Sequence, residues 1–108
     1  MKPRTSPAEV IMVAVPETAG SALYGMYDVL LAAGNIWQSL VGTETPEQLF
    51  NVKILAPVLI PFTCGNGIPV QPDYAVADNP APDIIILPEL WLGPDEPMTG
   101  RYPELVAW

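Results

Sequence analysis

Apolar and polar positions fall into a series of short blocks along this 108-residue chain, most of them closed by proline or glycine. The first block, Val10-Ile11-Met12-Val13-Ala14-Val15, is apolar without a break and stops at Pro16. A run without alternation predicts a strand buried on both faces, as in the middle of a parallel sheet. Glu17 to Ser21 is a polar turn, with Thr18 and Ser21 as N-cap candidates. Leu23, Met26, Tyr27, Leu30 and Leu31 then recur at the spacing of one helix face. They predict a helix from Ala22 towards the Gly34-Asn35 stop, with Ile36, Trp37 and Leu40 either prolonging it or packing separately. Gly42 to Gln48 reads as a loop, and Phe50 to Ala56, with partial alternation, as a second strand. The β-α-β unit so formed crosses over with the right hand.

The pattern then breaks up. Pro61 to Cys64 and Ile68 to Val70 flank Gly65-Asn66-Gly67, and Asn66-Gly67 is a strong hairpin-turn signal. Pro69 and Pro72 hold that hairpin at an edge, because proline donates no ladder hydrogen bond. Ala75 to Asn79 reads as a polar turn or helical stub. Pro82-Asp83-Ile84-Ile85-Ile86-Leu87-Pro88 is a third apolar run, predicted as a buried parallel strand. A proline-rich loop from Glu89 to Gly100 leads into a last helix over 101–108, with Pro103 in its first turn. The expected fold class is α/β: a flavodoxin-like, doubly wound parallel sheet in the order 2-1-3, with a small β-hairpin insertion. It is incomplete as given, since the Ile84–Leu87 run has an interior strand's composition at an outer position. Its edge is expected to be covered by another strand.

Composition narrows the function. Acids outnumber bases 12 to 4, for a net charge of −8, so phosphate contacts to nucleic acid are not expected from this segment. The chain has no histidine and one cysteine, Cys64. It can build neither a histidine-based triad nor a His- or thiolate-rich metal site, and it forms no internal disulfide. Charged residues are only 15% of the chain, against about 25% in an average soluble domain, so the chain either buries much of itself or expects a partner or a missing remainder. No apolar stretch approaches a membrane span and the N-terminus lacks a signal-peptide core, so the expected location is the cytoplasm.

Ligands in open parallel sheets bind beyond the carboxyl ends of the strands. Two such ends match here, Val15-Pro16-Glu17 and Leu87-Pro88-Glu89. Glu17, Thr18, Glu89 and Leu90 are therefore the candidate cleft residues. The two carboxylates could share acid–base work or hold a hard cation, or simply be solvated loop acids. Cys64 sits in the hairpin with no cation near it in sequence and reads as a structural thiol. Gly65-Asn66-Gly67 lacks the later glycine and following helix of a phosphate loop. Trp37, Trp91 and Trp108 read as packing or interface aromatics.

The segments in order resemble the first half of a ThiJ/PfpI domain, the class I glutamine amidotransferase-like fold. The residues that carry this are Val10–Pro16, Leu23–Leu30, Val52–Pro57, Ile68–Asp78 and Pro82–Pro88. The most specific are Val70-Gln71-Pro72-Asp73 with Asp78, and Pro82-Asp83-Ile84-Ile85-Ile86-Leu87-Pro88. The wording is most similar to the GlxA-like branch of AraC-type transcriptional regulators. The resemblance implies that residues 1–108 are the N-terminal part of one such domain, with the nucleophile elbow and any helix-turn-helix module absent. It also implies that the family's enzymes would carry an acid where Ala22 stands, and Gly-Gly where Glu89-Leu90 stand. Those departures favour a sensing and dimerising segment that takes a small-molecule effector and contacts neither nucleic acid nor membrane. No catalytic residue, metal or cofactor is assigned. The rival readings are a fragment of an amidase-, protease- or hydratase-like enzyme of the same superfamily, and a short protein that folds only as an oligomer. The expected partner is a second copy or the missing C-terminal half.

Overall fold

A computed structural model describes residues 6–42 and 45–108, apart from the side chain of Trp37. Lys2, Arg4 and part of the loop expected over 42–48 lie outside the described residues. The fold is mixed α/β, a four-stranded parallel sheet flanked by helices, compatible with a doubly wound arrangement. Strand β1 (Ala8–Val13) lies between β2 (Phe50–Ala56) and β6 (Ile84–Ile86), in the predicted 2-1-3 order. A short strand that sequence reasoning did not predict, β5 (Tyr74–Ala75), extends the sheet beyond β2. The hairpin forms a separate two-stranded unit of β3 (Phe62–Thr63) and β4 (Pro69–Val70). Its turn places Asn66 and Gly67 at φ of 61° and 71°, the left-handed region that asparagine and glycine tolerate best.

β1 is central because β2 pairs with it along its whole length and the shorter β6 pairs with its middle. Ala8 to Val13 pair in register with Phe50 to Leu55, and Val10 to Met12 with Ile84 to Ile86. The two outer strands are seated by the same device. Pro72-Asp73 and Pro82-Asp83 each stop at the flank of a central strand. Asp73 donates its amide to the Ile54 carbonyl and accepts the Ile54 amide on its carboxylate, both at 2.8 Å. Asp83 does the same with Glu9, again at 2.8 Å both ways. A carboxylate here replaces a strand carbonyl as acceptor for a neighbouring amide. The two most specific motifs of the sequence therefore have a structural task.

Helix α1 (Gly20–Ala32) covers one face of the sheet. Leu23, Tyr24, Tyr27 and Leu30 pack against Val10, Met12, Val52 and Ile54, and the hairpin adds Cys64 and Val70 to the same core. Met26 and Leu31, expected on this stripe, are exposed instead, and Tyr24 packs against the core in their place. The Tyr24 hydroxyl donates to the Pro69 carbonyl at 2.7 Å. The helix also starts earlier than expected. Its N-cap is Ala19, with no side-chain cap, so neither Thr18 nor Ser21 caps it. Ile36–Val41 forms a separate helix, α2, set off by Gly34 at φ 77°.

The other face is covered by the C-terminal segment, which ends in α3 (Pro103–Ala107) with proline at its start. Trp108 Nε1 donates to the Pro80 carbonyl at 3.0 Å and pins the segment across the sheet. The third strand departs most from expectation. Predicted as buried on both faces, β6 leaves Ile84 and Ile85, and Leu87 just beyond it, exposed. It is the outermost strand, and among the described residues no other strand pairs along its second edge. Among the described residues no helix is long and apolar enough to cross a membrane.

Candidate functional site

The carboxyl ends of β1 and β6 meet through their backbones. Ala19 donates its amide to the Glu89 carbonyl at 2.8 Å, and Trp91 donates to the Glu17 carbonyl at 2.7 Å. These bonds flank an antiparallel bridge between Thr18 and Leu90. The four predicted cleft residues are thus brought together, but by main chain and not by their carboxylates. Their side chains then diverge. Thr18 is fully buried, and its Oγ1 accepts the Val15 amide at 2.9 Å. That hydroxyl closes the turn after β1 and is not available to a ligand. Glu89 is exposed.

Glu17 reaches across to the C-terminal segment. The Tyr102 hydroxyl donates to its carboxylate, 2.7 Å from Oε2 and close to Oε1 as well. Arg101 Nη1 stands 3.6 Å from Oε1, and its Nη2 stands 3.6 Å from Glu96. Arg101 Nε also donates to the Pro97 carbonyl at 2.8 Å. Burial first, then the hydrogen bond to Glu17 and the charge of that carboxylate, push the Tyr102 phenol up to about 12, with Arg101 opposing. Tyr102 itself adopts φ 51°, a left-handed conformation unusual for an aromatic residue, as it turns the chain into α3.

Beneath this latch runs an apolar groove of about 330 Å³. Val13, Val15, Ile85 and Leu87 form its floor, with Leu105 and Trp108 above and Arg101 and Tyr102 at its polar end. Leu90, the fourth predicted residue, lines it too. Glu17 does not line the groove but holds its two polar lining residues, Arg101 and Tyr102, so the groove pairs an apolar body with one polar end. Such a shape suits retention of a small apolar molecule oriented by one polar group. Cys64 lies elsewhere, buried in the core on the α1 face. Burial first, then Cys64 and Tyr27, raises the neighbouring Tyr24 phenol above its ordinary value. Among the described residues no group of three or more His, Cys, Asp or Glu side chains is arranged to hold a metal ion.

Arg101 and Tyr102 escaped sequence reasoning, which treated 101–108 only as the opening of a helix. Nothing local marks them, since Tyr102 meets Glu17 from 85 positions away. Comparison with known proteins gives no match to this chain among family models, curated proteins or solved structures.

Proposed function

We propose that this chain is the effector-sensing and dimerising N-terminal part of a ThiJ/PfpI-like transcriptional regulator of the AraC type, acting in the cytoplasm, with DNA binding supplied by another module. The observation that carries the sensing role is the apolar groove at the carboxyl ends of β1 and β6, bounded at one end by Arg101 and Tyr102, which Glu17 holds. It stands where a doubly wound sheet offers its ligand site. Its occupant would be a small, largely apolar molecule with one polar group. The enzymatic alternative gains no support from this groove, which contains no thiol, in a chain without histidine.

The test uses the apolar anion 1-anilinonaphthalene-8-sulfonate as a probe of the groove. Saturable fluorescence at one probe per chain, abolished when Leu105→Trp fills the groove, is the expected result. Unsaturable binding, or binding unchanged in a folded Leu105→Trp chain, would overturn the sensing role.

A further inference from the structure

We infer that the groove holds its occupant by an uncharged hydroxyl: an alcohol or phenol with an apolar body, seated at Arg101 and Tyr102 and preferred over the matching carboxylate and the matching amine. The assignment rests on the sensing role proposed above and names the class of molecule for that site. It starts from where the polar end lies. Arg101 and Tyr102 line the groove. Tyr102 also walls a second apolar pocket of about 280 Å³, together with Pro16, Ala56, Pro57 and Phe62. Tyr102 therefore reaches the carboxyl ends of β1 and β2, on the side of β1 away from β6.

Hydrogen-bonding capacity selects the head group. Arg101 spends its Nε on the Pro97 carbonyl at 2.8 Å. Its Nη1 and Nη2 stand 3.6 Å from Glu17 and Glu96, near enough to share charge but too far for a hydrogen bond. Among the described residues their N–H groups are thus left open to an acceptor. Tyr102 gives its one proton to Glu17, and its oxygen, made more electron-rich by that donation, keeps the capacity to accept. A donor and an acceptor on adjacent residues suit a group that accepts and donates at once, which a hydroxyl does.

Charge disfavours the alternatives. Glu17 and Glu96 already face the single guanidinium of Arg101, so a ligand carboxylate would be a third anion around one cation. It also has no proton to offer the Tyr102 oxygen, and the net charge of −8 opposes its approach. An ammonium brings protons but no acceptor. It meets Arg101, which among the described residues alone brings a charge to the lining, whereas Glu17 and Glu96 do not line the groove. The overall acidity that would attract a cation is screened over about 8 Å at physiological salt, so contact with Arg101 outweighs it.

Titration of the chain, followed by NMR near neutral pH, with three ligands that share one apolar body tests the proposal: 3-phenylpropan-1-ol, 4-phenylbutanoate and 3-phenylpropan-1-amine. The alcohol is expected to bind about tenfold more tightly than either charged ligand. Tyr102→Phe should remove most of that advantage. Two charge variants of nearly unchanged size should then move the order in opposite directions. Arg101→Gln strengthens the amine relative to the alcohol, and Glu17→Gln strengthens the carboxylate. Glu96→Gln, at an exposed side chain, shifts the carboxylate in the same direction as Glu17→Gln and does not depend on that variant folding. A charged ligand that binds as tightly as the alcohol overturns the head-group assignment and leaves the sensing role standing. So does an order that none of the charge variants moves, or a groove that takes the anilinonaphthalene probe but none of the three ligands. A groove that takes neither the probe nor the series overturns the sensing role and this assignment with it.

Discussion

Val10–Val15 and Ile84–Leu87 are nearly the same text, unbroken apolar runs closed by proline, yet they meet opposite fates. Every residue from Val10 to Val15 is buried, at 7% exposure or less, between α1 on one side and the C-terminal segment on the other. Ile84, Ile85 and Leu87 keep 41–59% of their surface. Intrinsic preference is the same in both, so the difference comes from neighbours. Among the described residues β1 has a strand on either side, whereas β6 has one. An apolar run states what surroundings a segment is suited to, and topology decides whether the chain supplies them.

The comparison is broken most directly by truncating one residue in each environment. Leu23→Ala empties a fully buried position beneath β1 and should cost about 3 kcal/mol in urea or guanidinium unfolding. Ile85→Ala removes a similar volume from the exposed strand and should cost less than about 1 kcal/mol in the monomer. Equal losses would show that β6 is packed as β1 is. Thr18→Val tests the end of the buried strand. It keeps the shape but leaves the Val15 amide without its acceptor, and should cost about 1–3 kcal/mol. A neutral substitution would mean that water or another carbonyl satisfies that amide.

The aspartate anchors sharpen the comparison at a smaller scale. Asp73→Ala and Asp83→Ala each remove the acceptor for one central-strand amide. The Asp73 contact is partly buried and the Asp83 contact exposed, so about 1–2 kcal/mol is expected for the first and less than about 1 for the second. Hydrogen exchange at Ile54 and at Glu9 should rise selectively in the matching variant. Exchange unchanged at both amides would remove the shared role assigned to the two Pro-Asp pairs.

Much of the architecture was legible because it is written locally. The β1 run, the spacing of Leu23, Tyr27 and Leu30, the Asn66-Gly67 turn and Pro103 at the start of α3 each depend on neighbours within a few residues. What was misread depends on partners distant in sequence. Thr18 has the chemistry of a helix cap, yet its hydroxyl turns back to Val15, while its own carbonyl accepts the Gly65 amide and the Ala19 amide beside it goes to the Glu89 carbonyl. Tyr74–Ala75 is too short to show a period, and becomes a strand because Asp73 fixes it beside β2. In the candidate site, Glu17 and Leu90 were legible from their place after two strand ends. Arg101 and Tyr102 were not, since their relation to Glu17 exists only once the C-terminal segment folds over the sheet.

The last expected effect concerns the latch, and it is read in alkaline solution. The Tyr102 phenol rises from 10.0 to about 12 in the folded chain. Between those values the unfolded chain has lost the phenolic proton while the folded chain still holds it, so folding there requires proton uptake. Stability should therefore be level below pH 10 as far as Tyr102 is concerned, and should fall as pH rises from 10 towards 12. Tyr24, raised in the same direction, adds to the slope. Tyr102→Phe should lower stability by about 1 kcal/mol near neutral pH, through loss of the hydrogen bond to Glu17, and should flatten the alkaline slope without abolishing it. Thermal melts followed from neutral to strongly alkaline pH separate the two parts. If Tyr102→Phe leaves the alkaline slope as steep as in the parent chain, the hydroxyl does not hold its proton against Glu17. The C-terminal segment would then be kept over the groove by Trp108 and the Glu17–Trp91 backbone contact, and Glu17 would be free to meet a ligand directly.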